Sequence, residues 1–187
     1  MNSDIKTEVV KAFETASNLA DTFSGINRKE AIENFNRIGF PNSKNEEWKY
    51  TNISPILNSK PAFDINEKAS SLTKENIQKF LIAGENAVVL VFENGIFNKS
   101  ISTPANHSKG VEIVNLASVT DHEIVKKHLG KIAFAGNEPF VALNNAFVQD
   151  GVFIHVKSEV QFEIPVHILY IDSSENPQHT TSVRNLI

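Results

Sequence analysis

The sequence predicts an α+β protein with a mainly helical front, residues 1–86, and a β-rich part with interspersed helices, residues 87–187. Three observations carry this. Near the start, apolar side chains recur at three- and four-residue spacing, which stacks them on one helix face. After residue 86 the texture changes to β-branched runs, the first over residues 87–92. Behind that run sits Asn94-Gly95, the dipeptide favoured in a tight type I′ hairpin turn.

The first helix is read from Val9, Phe13, Ala16, Ala20 and Phe23, with Gly25 as its stop. Asn27 caps a second, Glu30 sits where a side chain reaches back to that cap, and Ala31, Ile32, Phe35 and Ile38 form its apolar stripe. Gly39 and Pro41 end it. Residues 40–62 read as a loop with two anchored aromatics, Trp48 and Tyr50. The polar, breaker-rich stretch 58–71 is the best linker candidate. Thr73 caps a short helix carrying Ile77, Phe80 and Leu81, closed by Gly84.

In the second part, residues 88–100 read as a hairpin and 111–116 as a further strand. Thr120 or Asp121 caps a helix with Ile124, Val125, His128 and Leu129, ended by Gly130. Asn137, Glu138 and Pro139 open another through Phe147, since proline is tolerated in a first turn. Asp150-Gly151 then turns the chain into strands at 152–156, 164–171 and 181–187. Their short polar links suit a meander or the coils of a β-solenoid. The last strand presents Val183, Leu186 and Ile187 without a cap, which predicts either self-association through that edge or disorder of the last residues, and a chain that is a piece of something longer.

Composition excludes several classes. The front carries 11 basic and 12 acidic residues and the rest 7 and 10, so neither part has the electrostatic footprint of a nucleic-acid or anionic-membrane binder. With no cysteine, disulfides, thiolate metal ligands and cysteine ligation of an iron–sulfur cluster are all ruled out. Asp4, Lys6 and Glu8 stand where a signal peptide needs an apolar core, and the longest apolar run is too short to cross a bilayer, so the cytoplasm is the expected compartment.

No pattern builds a catalytic, cofactor or metal site. His122 and His128 are six residues apart, not the four that aligns two zinc ligands on a helix. His155, His167 and His179 are evenly spaced by twelve, but solenoid coils usually run to ~20 residues or more, so that step need not stack them. Glu46 and Glu47 are neighbours in sequence and read as a solvated edge, not a glycosidase pair. The glycines form no phosphate loop and no nucleophile elbow. Trp48 and Tyr50 remain as candidate partner anchors, since such rings dominate interface energetics. Against that stands the plainer role of pinning the long loop onto the helices.

Several blocks resemble one family. Gly39-Phe40-Pro41 to Lys44, then Glu46-Glu47-Trp48-Lys49-Tyr50-Thr51-Asn52, resembles the N-terminal signature of the SufD family, scaffold proteins of bacterial iron–sulfur cluster assembly. Val91-Phe92-Glu93-Asn94-Gly95, Ala142 to Phe147 with Asp150-Gly151, Pro165 to Tyr170 and Arg184 to Ile187 are similar to the segments that follow in it. The resemblance implies a helical region followed by the start of a right-handed parallel β-helix. It implies a non-catalytic scaffold working in a complex with SufB and the ATPase SufC. The SufC-docking segment and the cluster-building residues lie late in the family's chain, so none carries over to positions here. Two other readings compete: a freestanding homo-oligomeric β-helix binding module, and a polysaccharide-acting β-helix enzyme, whose clustered carboxylates and export signal this chain lacks.

Overall fold

The computed structural model describes residues 2–16, 23–63, 65, 72–82, 86–103, 109–134 and 136–187. Helix α1 (Asn2–Thr15) is followed by α2 (Arg28–Ile38), whose cap is the one the sequence predicts: the Asn27 side chain accepts the Glu30 N–H. Gly39 ends α2 at φ 72°, its N–H bonded to the Phe35 carbonyl. The first helix is shorter than its apolar pattern. The Thr15 hydroxyl donates to the Lys11 and Ala12 carbonyls in the last turn. Ala20 lies outside the described residues, and Phe23 is buried but not helical.

Two short helices follow, α3 (Ser54–Asn58) and α4 (Lys74–Gln78), the latter opened by a reciprocal box between Thr73 and Asn76. The predicted linker 58–71 is described only in part; within it, Ala62 forms a parallel bridge to His179. Phe80 and Leu81 do not share the buried face of Ile77. The helix ends before them, and they stand 48% and 38% exposed. Gly84 lies outside the described residues.

The hairpin forms as read. Strand β1 (Val88–Glu93) turns through Asn94 and Gly95 into β2 (Ile96–Phe97), and both turn residues have positive φ, 51° and 82°. Strand β3 (Val111–Asn115) runs into a 3-10 turn (Leu116–Val119), then α5 (Glu123–His128) and α6 (Pro139–Phe147). The cap of α5 is His122, not Thr120 or Asp121. Thr120 is held in helical φ/ψ by the turn before it, so the extended capping conformation falls to His122, whose Nδ1 accepts the Ile124 N–H.

Strands β4 (Val152–Val156) and β5 (Val166–Ile171) complete two separate sheets. One has the order β2-β1-β5, with β1 and β5 parallel in the register Val88 to Val166 through Glu93 to Ile171. The other is the antiparallel pair β3-β4. The predicted last strand, 181–187, is reduced to two parallel bridges, Asp150 with Val183 and Phe153 with Leu186. Leu186 is therefore buried, against the expectation that it faces water; Ile187 is 80% exposed. These small sheets are mixed α+β architecture, and no parallel β-helix is delineated among the described residues.

The helical core joins α1, α2, α3 and α6 around Val9, Ile32, Phe35, Leu57, Leu143 and Phe147, so it draws on both sides of residue 86. Phe35 is fully buried, its ring edge-on to Phe40 at 4.9 Å. Among the described residues no helix is long and apolar enough to cross a membrane.

Candidate functional site

The loop from Phe40 to Ser54 is shaped by its asparagines. Asn45 accepts the Asn42 N–H, Asn42 accepts from Lys44, and Asn52 accepts from Ser54, each bond stabilising a turn. Between them a single 3-10 turn (Glu46–Trp48) swings the two aromatics apart. Trp48 turns inward, its ring 5.2 Å from Phe140 on α6 and packed on the helical core. Tyr50 turns out and is 92% exposed, with Lys49 Nζ 5.6 Å from its ring centre. It borders a cleft of about 430 Å³ between Pro41–Ser43 and Lys49–Ser54. Glu47 meets Glu138 at the foot of α6. Their shared hydrogen bond pushes the Glu138 carboxyl up from its ordinary range, with burial and like charge adding to it.

The three evenly spaced histidines are not brought together. His167 sits on β5 opposite Val89, and His179 packs its Nδ1 3.1 Å from Asp172 with only 2% of its side chain exposed. His155 faces Glu112 across the β3-β4 pair. There it meets His122, which the sequence reading weighed only against His128. The Glu112 carboxylate lies 3.2 Å from His122 Nε2 and 3.7 Å from His155 Nδ1. The three line a cleft of about 720 Å³ together with Lys109 and Lys157.

The tautomer of His122 decides what this cleft can hold. Its Nδ1 accepts the Ile124 N–H, so its proton is on Nε2 and points at Glu112. A metal at Nε2 requires a lone pair there, which this tautomer does not offer. Among the described residues no group of three or more histidine, aspartate or glutamate side chains is arranged to hold a metal ion. The cluster is a set of paired groups joining β3, β4 and α5.

Sequence reasoning missed a buried polar hub. Asp150, 4% exposed, accepts the N–H groups of Phe97, Ala117 and Gly151 and the Asn115 amide, while its own carbonyl takes the Arg184 N–H. Burial pushes its carboxyl up, and the surrounding donors pull the other way. Arg184 donates to Asn144 and Asn145 on α6, and burial lowers the affinity of its guanidinium for a proton. The signal available in sequence was the pair Asn144-Asn145 with Asp150-Gly151, read only as helix and turn.

Residues 8–168 match the family model described as the SufBD protein N-terminal region. The chain is also similar to an iron–sulfur cluster assembly SufBD family protein of Synechocystis sp. (strain ATCC 27184 / PCC 6803 / Kazusa), with 23% identity over 171 residues. That alignment covers 90% of this chain but only 37% of the relative, so the chain spans well under half of that protein's length.

Proposed function

The chain belongs to the SufBD family, and on that premise we propose that it is a non-catalytic scaffold segment of iron–sulfur cluster assembly, acting through contacts with protein partners. The match of residues 8–168 to the family's N-terminal region carries this reading. The proposed partners are SufB and, for the longer protein, SufC, in the cytoplasm. We further propose that the β part opens a right-handed parallel β-helix. In support, β5 lies parallel on β1, and Val183 and Leu186 lie parallel on Asp150 and Phe153, the same-direction returns that a solenoid coil needs. Tyr50 is the proposed partner anchor of the front loop, because its ring is presented to solvent while Trp48 holds the loop from behind.

The test is co-expression of the tagged chain with SufB and with SufC from one source, followed by native mass measurement of the purified species. A defined complex with SufB, none with SufC alone, and a colourless chain without ATP hydrolysis are expected. Stoichiometric iron that survives dialysis of the chain by itself, ATP turnover above background, or no complex with SufB overturns the reading.

A further inference from the structure

Between α5 and α6 the chain runs Lys126-Lys127-His128-Leu129-Gly130-Lys131-Ile132-Ala133-Phe134. Three lysines fall within six positions, and no acidic residue occurs between Glu123 and Glu138, in a chain whose net charge is −4. Ile132 is 75% exposed and Phe134 73%. A lone exposed apolar side chain is ordinary, but here two large ones follow a run of lysine on one short segment, a combination with a definite chemistry. Lys126 pairs with Asp121 at 2.9 Å. Lys127 and Lys131 make no ion pair among the described residues.

The segment is pinned at both ends through its backbone. Leu129 is 2% exposed, in the core with Phe23 and Ile26. Next to it the chain lies against Gly25 so closely that a β-carbon on Gly130 falls 2.1 Å from the Gly25 carbonyl oxygen. The Lys131 N–H donates to the His128 carbonyl at 3.1 Å. At the far end, Arg37 on α2 donates to the Gly136 carbonyl at 3.0 Å. The Phe134 ring lies directly over Gly136, where a β-carbon comes within 2.3 Å of the ring. These contacts fix the segment while leaving Ile132 and Phe134 facing water, a pre-organised pair that a partner meets without ordering a loop.

We infer that this segment is a docking surface for a protein partner that offers an apolar pocket rimmed by acidic side chains. Ile132 and Phe134 fill the pocket, and Lys127 and Lys131 face the rim. A bilayer fits less well. Two unpaired lysines and two apolar side chains fall short of the combined signals that hold a protein on a membrane, and the chain as a whole is acidic. The surface stands on its own residues, whether or not the chain serves cluster assembly.

The experiment pans a random-peptide phage library on the immobilised full chain and measures the affinity of the enriched peptides as synthetic copies. Expected are peptides combining aspartate or glutamate with large apolar residues, whose binding weakens as salt is raised. Affinity should fall at least about tenfold in K127E/K131E and in I132S/F134S. Gly136→Ala keeps every lysine and displaces only the Phe134 ring; it should weaken binding while leaving the thermal melt unchanged. Absence of any enriched sequence overturns the assignment, as does an enriched peptide indifferent to all three variants. Sedimentation with phosphatidylserine–phosphatidylcholine vesicles that depends on Ile132 and Phe134 overturns it in favour of a membrane.

Discussion

The helical core and the β part are held together by different physics. The helical core is a set of interlocking rings and aliphatic chains: Phe35 on Phe40, Trp48 on Phe140, Phe13 and Phe63 on Phe147. In the β part the strands are short, and much of the joining is polar. Of the six polar or charged side chains that are buried among the described residues, five follow residue 86: Glu93, Asn94, Ser102, Asn145 and Asp150. The sixth, Arg28, reaches across to the carbonyls of Ala146 and Val148 at the end of α6. Packing tolerates graded change, because a core relaxes around a lost volume. A directional network does not, because each lost acceptor strands a donor.

The sharpest break of that contrast is Gly151→Ala. A β-carbon there falls 1.8 Å from the Arg184 carbonyl oxygen, which is backbone and has no rotamer to retreat into. The segment 183–186 must lift from β4, uncovering Phe153 and breaking the bonds that Arg184 and Leu186 make. A loss of about 4 kcal/mol or more in urea denaturation is expected, and a near-neutral result shows that this segment contributes little. Phe35→Ala tests the other region. Removing a fully buried ring that touches Phe40 should cost about 3–5 kcal/mol, with Phe35→Leu recovering much of it. Failure of leucine to rescue means that the helical core depends on ring geometry and not on filled volume.

What the sequence disclosed divides along the same line. Features set by neighbours within a few residues were legible: the Asn27 and Thr73 caps, the proline opening of α6, and the Asn94-Gly95 turn with both residues at positive φ. Those set by distant chain were not. Asp150 gathers donors from residues 97, 115 and 117, and Arg184 finds its amides 39 and 40 positions back, so no local pattern marks either as a hub. The cleft of Glu112, His122 and His155 was hidden for the same reason, since strand register brings two of its members together and helix placement the third. Of the two aromatics singled out from sequence, nothing local said which one packs inward; that depended on α6, nearly a hundred residues on.

Asp150→Asn follows as an intermediate effect. The carboxylate is an acceptor at both oxygens, so an amide turns an N–H toward one of the donors from Phe97, Ala117 or Gly151. About 1–3 kcal/mol should be lost. The variant also carries a pH signature. Because burial raises the folded pKa of Asp150 above its unfolded value, the folded state holds the proton more tightly. Stability from this group is present at low pH and is lost as pH rises through the folded value. The stability difference between wild type and the asparagine variant should therefore depend on pH across the carboxylate range; parallel stability curves show that Asp150 does not titrate differently on folding.

The smallest effect belongs to the surface beside the front loop. Glu138 is raised first by the hydrogen bond with Glu47, then by burial and by repulsion between the two charges. A raised folded pKa makes this pair, like Asp150, least favourable once both carboxyls are ionised. Glu47→Gln keeps a hydrogen-bonding side chain against Glu138 and removes the like charge. Glu138 should then titrate closer to its ordinary range when followed by carboxyl carbon NMR shifts. The melting temperature should rise slightly at neutral pH and not at all in acid, where the pair is already protonated. Glu47 is exposed and Glu138 only partly buried, so solvent screens them and the stability change stays small even if the titration shift is clear. A Glu138 titration unmoved by the substitution means that the two side chains do not meet in solution. In that case the ring contacts of Trp48 and Phe40 with Phe140 are what attach the loop carrying Trp48 and Tyr50 to α6.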